Sequence, residues 1–375
     1  MYAWIQLISI KSVSIHDFSP YPQRKRYFRN FIKMIRTLLF CLATCLLLNC
    51  DTNRNTLQQP PITDFNSDKI TAQNYIQKEI GFVKPPSQQD IEYYFSVSQN
   101  QCFSEILVNN VPVFRFFEDG RAITPICINP YINQSGKQTL TYHLYPQKTV
   151  TDGEGTAHLT AQTAIKIELV GRKESDRINA YKNQKVVITH RSETKPDGKT
   201  FVAAGKDYYE YTITFDAEVP YKLVGATESQ DLSKLDQKEL LAKTEAAYRY
   251  YYNLINAKKM DDYFRLGFKS DIAEIISSYI DQEKLQAIEE SDKFHFLIPG
   301  FKLEPLEKYH MSLYGNGKIV CLEQTSDDPA LKNTSPIWGK TETPNGEKIT
   351  KFYKLYLHIP KGKDTFEVLY KGERF

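Results

Sequence analysis

Tyr209-Glu210-Tyr211-Thr212-Ile213-Thr214-Phe215-Asp216 is the stretch on which the fold turns. Its large aromatic and aliphatic side chains occupy the odd positions and its polar ones the even positions. A period of two marks an extended strand with one buried and one wet face. Upstream the same pattern recurs. Val186 to His190 is expected to pair with Phe201-Val202 across the Pro196-Asp197-Gly198 turn, and Ala164 to Val170 partly alternates. Thr139 to Tyr145 lies between a Ser135-Gly136-Lys137 turn and Pro146, and Ile126-Cys127-Ile128 ends at Asn129-Pro130. Phe103 to Val108 and Val111 to Phe114 flank Asn109-Asn110, a hairpin signal, and Pro112 places the second of them at a sheet edge. With Tyr94 to Val97 this makes about eight strands, spaced as in an antiparallel β-sandwich over residues 91–226.

Downstream the composition changes at Gly225 to Gln230. Ser233 is expected to cap a helix, with Asp236 at the third helical position. Leu240, Leu241, Thr244, Ala247, Tyr248, Tyr251, Leu254 and Ile255 follow helical spacing. A short second helix over Asp261 to Leu266 is expected to stop at Gly267, and a third to start at Ser270, carrying Ile272, Ile275, Ile276, Tyr279 and Ile280. Lys284 to Glu290 extends it or forms a fourth. From residue 294 the pattern returns to β. His310 to Tyr314 and Lys318 to Leu322 flank Gly315-Asn316-Gly317, a second hairpin signal, and Lys351 to Ile359 and Thr365 to Leu369 follow. The expected fold is mainly β with α+β: an N-terminal antiparallel β-sandwich, then a C-terminal α+β domain over 230–375, helices first and an antiparallel sheet after. That order resembles the NTF2-like or SnoaL-like cone, in which helices pack into a curved sheet around a pocket. No motif of that family accompanies it, so no catalytic residue carries over.

The ends of this pattern are set by residues 1–90. Leu38 to Leu48 is an apolar run of 11 residues behind Arg36, about 16 Å as a helix and half of a bilayer core. That is the length of a secretory signal and too short for a membrane span. The run ends in Leu47-Leu48-Asn49-Cys50, which resembles the lipobox of bacterial lipoproteins, with Asn49 where that family has a small residue. The resemblance implies cleavage before Cys50 and a lipid on its sulfur. Leu42-Ala43-Thr44-Cys45 is a second candidate, but cutting there leaves Leu46-Leu47-Leu48 exposed. Met34 reads as the start, which makes 1–33 an upstream extension and 34–49 the signal peptide. Residues 50–64, polar and ending near Pro60-Pro61, read as a lipidated tether, and 65–90 as a short helix and linker.

Across 375 residues the 48 Lys and Arg outnumber the 45 Asp and Glu. Residues 1–49 hold seven of those cations and one acid, so the remainder carries 41 basic and 44 acidic groups. That balance speaks against general nucleic-acid binding. A mean hydropathy of −0.47 excludes a polytopic membrane protein. Three cysteines lie beyond Cys50. Cys102 and Cys127, in neighbouring predicted strands, are a candidate disulfide in an oxidising compartment or two small buried side chains. Cys321 is the third.

Candidate chemistry is sparse. Tyr248, Tyr251 and Tyr252 share one helix face with Ile255, as a ligand wall or as the core side of an amphipathic helix. His143, His158 and His190 lie on or beside three β segments, as metal ligands if they converge or as separate structural residues, and His310 and His358 in two others are candidates for an acid–base pair with Asp261 or Asp262. Asp152-Gly153-Glu154-Gly155 reads as a turn. The phosphate-loop, dinucleotide, nucleophile-elbow and His-Glu-x-x-His motifs are absent. The expectation is a membrane-tethered envelope lipoprotein without catalytic residue, metal or cofactor. It would act as a binding or adaptor protein for another envelope protein or a glycan. The anchor implies the envelope of a Gram-negative bacterium, the outer membrane ahead of the inner, with the folded part in the periplasm or at the surface. The alternatives are an immunity or inhibitor lipoprotein against a periplasmic toxin, and a small-molecule enzyme using the C-terminal pocket.

Overall fold

The computed structural model describes residue 62 and residues 69–371, apart from 86, 88, 118–119, 148–154, 174–181, 289–299, 327, 329–330, 343–345 and 347. The expected extension at 1–33 and leader at 34–49, Cys50 and all of the expected tether except Ile62 lie outside the described residues, as do most of the expected Asp152 turn and the end of the Lys284 helix.

The chain is mainly β, with several antiparallel sheets and few helices. After α1 (Tyr75–Ile80) come β1 (Ile91–Asn100), β2 (Phe103–Val108), β3 (Val111–Phe116), β4 (Gly120–Arg121), β5 (Ile126–Cys127), β6 (Gly136–Tyr145), β7 (Ala164–Lys173), β8 (Lys185–Arg191) and β9 (Tyr209–Ala217). They form two sheets, one in the order β4-β1-β7-β8 with β5 also on β1, the other β3-β2-β6-β9. β9 alternates as its sequence requires, with Tyr209, Tyr211, Ile213 and Phe215 turned inward. Rings from the two sheets meet: Tyr93 with Phe215 at 6.4 Å, Phe95 with Phe114 at 6.0 Å, and Tyr142 with His190 at 5.5 Å between centroids. The β2–β3 turn is made by Asn109 and Asn110, both at positive φ (51° and 61°), and β3, which holds Pro112, lies at the sheet edge. β8 does not pair with Phe201-Val202. Its register is with β7, and the later segment contributes the single bridge Thr194–Phe201. The Asp197 carboxylate closes the intervening turn on the amides of Lys199 and Thr200.

The second half holds α2 (Gln237–Asn256), α3 (Met260–Ser277) and a helical stretch at 282–288. Then follow β10 (Lys302–Leu303), β11 (Tyr309–Tyr314), β12 (Ile319–Gln324), β13 (Trp338–Glu342), β14 (Lys348–Phe352), β15 (Leu355–His358) and β16 (Glu367–Lys371). The sheets are β10-β13-β14 and β11-β12-β15-β16. Asp236, not Ser233, is the N-cap of α2, accepting from the Lys238 and Glu239 amides. The second and third helices expected from the sequence are one. α3 runs through Gly267 without a break, and the Lys371 side chain lies over that glycine, its Nζ 2.7 Å from where a Cβ would stand. Ser270 bonds back to the Gly267 carbonyl at 2.8 Å instead of capping a new helix. α1 docks on α3 through Tyr75, stacked 3.9 Å from Phe264.

Residues 60–375 form one compact unit with one continuous buried core. The β2–β3 and β11–β12 turns touch, Gly315 donating its amide to the Asn110 carbonyl at 2.8 Å. Gly317 in turn accepts from the Leu232 amide at 2.7 Å. Buried Ile62 forms a parallel bridge with buried Phe366, so the first described residue is seated beside the last strand.

Candidate binding face

Along β1 the side chains of Tyr93, Phe95 and Val97 enter the core, which turns Tyr94, Ser96 and Ser98 to the other face. β7 pairs with β1 in register, Ser98 opposite Lys166, Ser96 opposite Glu168, Tyr94 opposite Val170 and Glu92 opposite Arg172. β8 adds Arg191 opposite Lys166 and Thr189 opposite Glu168, and β4 adds Arg121 opposite Ser98. Directly opposed residues share a sheet face. One row across four strands therefore reads Arg191, Lys166, Ser98, Arg121. At ~4.8 Å per strand it spans roughly 14 Å.

Two adjoining hollows of about 140 Å³ and 130 Å³ lie on this face, sharing Ser96, Arg121 and Glu168. The first is bounded by Ser98 and Lys166, the second by Tyr94, Pro125, Val170, Arg172 and Gln184. Each is well below the ~300 Å³ at which enclosed small-molecule pockets begin, so a ligand would lie along the face and not inside it. Arg172 stacks over the Tyr94 ring at 4.4 Å and donates to Gln184 at 3.1 Å, which fixes its guanidinium. Lys166 Nζ is 3.4 Å from Glu168. Burial pushes the Tyr94 hydroxyl well above its ordinary value, so it stays a neutral hydrogen-bonding group. The face offers cations, neutral hydroxyls and the Glu168 and Glu92 carboxylates. It can bind through charge and hydrogen bonds.

The residues singled out in sequence fall elsewhere. Tyr248 is fully buried and donates to the Leu355 carbonyl at 2.6 Å, and Tyr251 is stacked on Tyr263 at 5.4 Å. Tyr252 is half-buried and packs against the same core. These rings fill space between α2, α3 and the last sheet. Cys102 and Cys127 are not brought together. Cys127 sits opposite Tyr94, whereas Cys102 follows the far end of β1 with its sulfur toward the Ala164 carbonyl. The separation is on the order of 20 Å along the strand, against about 4.4–6.8 Å between the Cα atoms of a disulfide. Cys321 is buried in β12.

The histidines have separate surroundings. His143 lies between Glu105 and Glu210, each 3.2 Å away, in the in-register row Arg115, Glu105, His143, Glu210 across the other large sheet. His158 pairs with Asp207. His190 faces the Tyr142 hydroxyl at 3.0 Å, and burial lowers its pKa. His310 is near Glu323 and Thr325, not Asp261 or Asp262. His358 is 2.7 Å from Ser229 Oγ and 4.0 Å from Glu367. This Ser-His-Glu set is buried, with all three residues at most 2 % exposed. It clasps the 229–230 segment to Pro360, where Ser229 also forms a bridge.

A buried ion pair lies in the last sheet. Lys354 Nζ, fully enclosed, is 2.6 Å from Glu323, which also accepts from Ser312 at 2.7 Å and Tyr314 at 3.0 Å. Burial pushes the Glu323 carboxyl up, and the Lys354 ammonium with the two hydroxyls more than offsets this, leaving it below the ordinary carboxylate range.

Sequence reading missed the cationic face because its row joins residues as distant in sequence as Ser98 and Arg191. The local signal was present in the alternation of Ser96 and Ser98 on β1 and of Lys166 and Glu168 on β7. Comparison with family models, curated proteins and solved structures gave no match.

Proposed function

We propose that this protein is a lipid-anchored envelope protein, held through Cys50, that works by non-enzymatic binding of another envelope component, a glycan or a protein. Confinement to a membrane raises its effective concentration toward a partner in the same layer. The observation that carries the binding part is the open face of β1 and β7, where side chains from four strands present cations and hydroxyls in register. The anchor rests on Leu47-Leu48-Asn49-Cys50 behind the short apolar run. Among the described residues, no helix is long and apolar enough to cross a membrane.

In this reading the two larger sheets make a sandwich, supported by the ring contacts of Tyr93, Phe95 and Tyr142, and the last sheet with α2 and α3 follows the element order of an NTF2-like cone. Tyr248 and Tyr251 occupy the helix side of that sheet, which counts against a reaction pocket there. The test is Cys50→Ser in the native host with fractionation and acyl labelling, alongside a pull-down from native envelopes. Release of the variant and loss of label are expected. Retention on membranes without label would refute the lipidation site.

A further inference from the structure

The row Arg191, Lys166, Ser98 and Arg121 presents three cations and one hydroxyl along about 14 Å of open sheet. Such a row suits an extended anion. Its neighbouring row, Thr189, Glu168 and Ser96, is neutral or acidic. A polyphosphate laid along the cationic row would meet the Glu168 carboxylate in the adjoining row. A polysaccharide bearing carboxylates would not suffer the same repulsion, because sugar hydroxyls can donate to Glu168 while the carboxylates meet Arg121, Lys166 and Arg191. Ser96 and Ser98 can both donate and accept, as a hydroxyl-rich chain requires. The second hollow adds the half-buried Pro125 ring as an apolar contact for the carbon face of a sugar ring.

We propose that this face binds a carboxylate-bearing polysaccharide, with Arg121, Lys166 and Arg191 taking the carboxylates and Glu168, Ser96 and Ser98 the hydroxyls. The proposal rests on the binding reading above and names its ligand class. Charge-assisted contacts of this kind are selective and salt-sensitive.

The full chain is titrated calorimetrically with polygalacturonate fragments, neutral dextran and poly-glutamate, at low and at raised salt. The expected result is binding of polygalacturonate that weakens with salt, and none of dextran. Arg121→Gln, Lys166→Gln and Arg191→Gln should each weaken binding about tenfold, the loss of one charge-assisted hydrogen bond. Lys238→Gln, a cation exposed on α2, should leave it unchanged. Absence of polygalacturonate binding, or binding by the three variants as tight as the wild type's, overturns the proposal. Poly-glutamate bound as tightly overturns it in favour of an acidic protein segment. If the pull-down still returns a partner in those cases, the general binding reading stands and only the ligand class falls. If the pull-down also returns nothing, both fall.

Discussion

Replacing Lys354 by Met removes an ammonium from the interior and leaves its carboxylate behind. The Lys354 side chain is wholly enclosed and that of Glu323 is 2 % exposed, with 2.6 Å between the charged atoms. Nζ also donates to the Asn333 carbonyl at 3.0 Å and lies 5.1 Å from the Tyr356 ring. Met matches the length of the stem, so lost packing is small and lost charge dominates. Breaking one side of such a pair costs about 3–5 kcal/mol, because the remaining ion has no water to turn to. Ser312 and Tyr314 still donate to Glu323, which puts the expectation at the lower end, about 3 kcal/mol. In the double variant Lys354→Met, Glu323→Gln, the amide oxygen can keep accepting from both hydroxyls, and most of the loss should return. pH gives an independent sign. In the wild type the Glu323 carboxyl is depressed, so its contribution fades as pH falls through the carboxylate range. In the single variant only the Ser312 and Tyr314 hydroxyls are left to oppose burial, so the carboxyl should rise and stability should recover as pH falls toward it. Urea unfolding followed by far-ultraviolet circular dichroism at neutral and mildly acidic pH measures both. A loss below about 1 kcal/mol at neutral pH, or a variant that weakens further on acidification as the wild type does, would refute the reasoning.

Two further outcomes follow from buried contacts. Burial holds the His358 imidazole down to about 4, against about 6.5 in an unfolded chain. The unfolded chain therefore takes up the proton first. Stability intact above pH ~6.5 should drain by about 3 kcal/mol as pH falls to ~4. His358→Gln should flatten that limb in a urea-midpoint profile, and an unchanged slope would show that another group causes it. At Gly339 a Cβ would stand 2.5 Å from the Lys302 carbonyl oxygen and 2.6 Å from a Phe301 ring carbon. Gly339→Ala should break the β10–β13 pairing and cost about 1–3 kcal/mol, and an unaltered thermal midpoint would contradict the close approach.

Local patterns in the sequence carried much of the fold. The alternation from Tyr209 to Asp216, the Asn109-Asn110 and Gly315-Asn316-Gly317 turns, and the edge position of Pro112 are each decided by residues within a few positions of one another. The errors share a cause. Gly267 looked like a helix end because its real partner, Lys371, is more than a hundred residues away. Val186 to His190 looked like half of a hairpin with Phe201 because the turn between them is well formed, yet β7 supplied a longer register. The candidate face was hidden in the same way. Its alternating residues were visible on each strand, and only the pairing of β1 with β7 aligned Ser98 with Lys166. The three tyrosines of α2 show the opposite bias, since conspicuous residues at helical spacing proved to be packing.

The bridge between Ile62 and Phe366 decides where mechanical load would enter. Any traction on the chain from before residue 62 reaches the folded body at a buried contact with the segment leading into β16. β16 is held in turn by Lys371 on Asp271 at 2.7 Å and by Lys269 and Lys363 on Glu367. A pull from the N-terminal side would thus be resisted by the C-terminal strand and α3 before β1 is strained. The last strand acts as a clasp, and shortening the chain from its C-terminal end would weaken the body where Ile62 is seated.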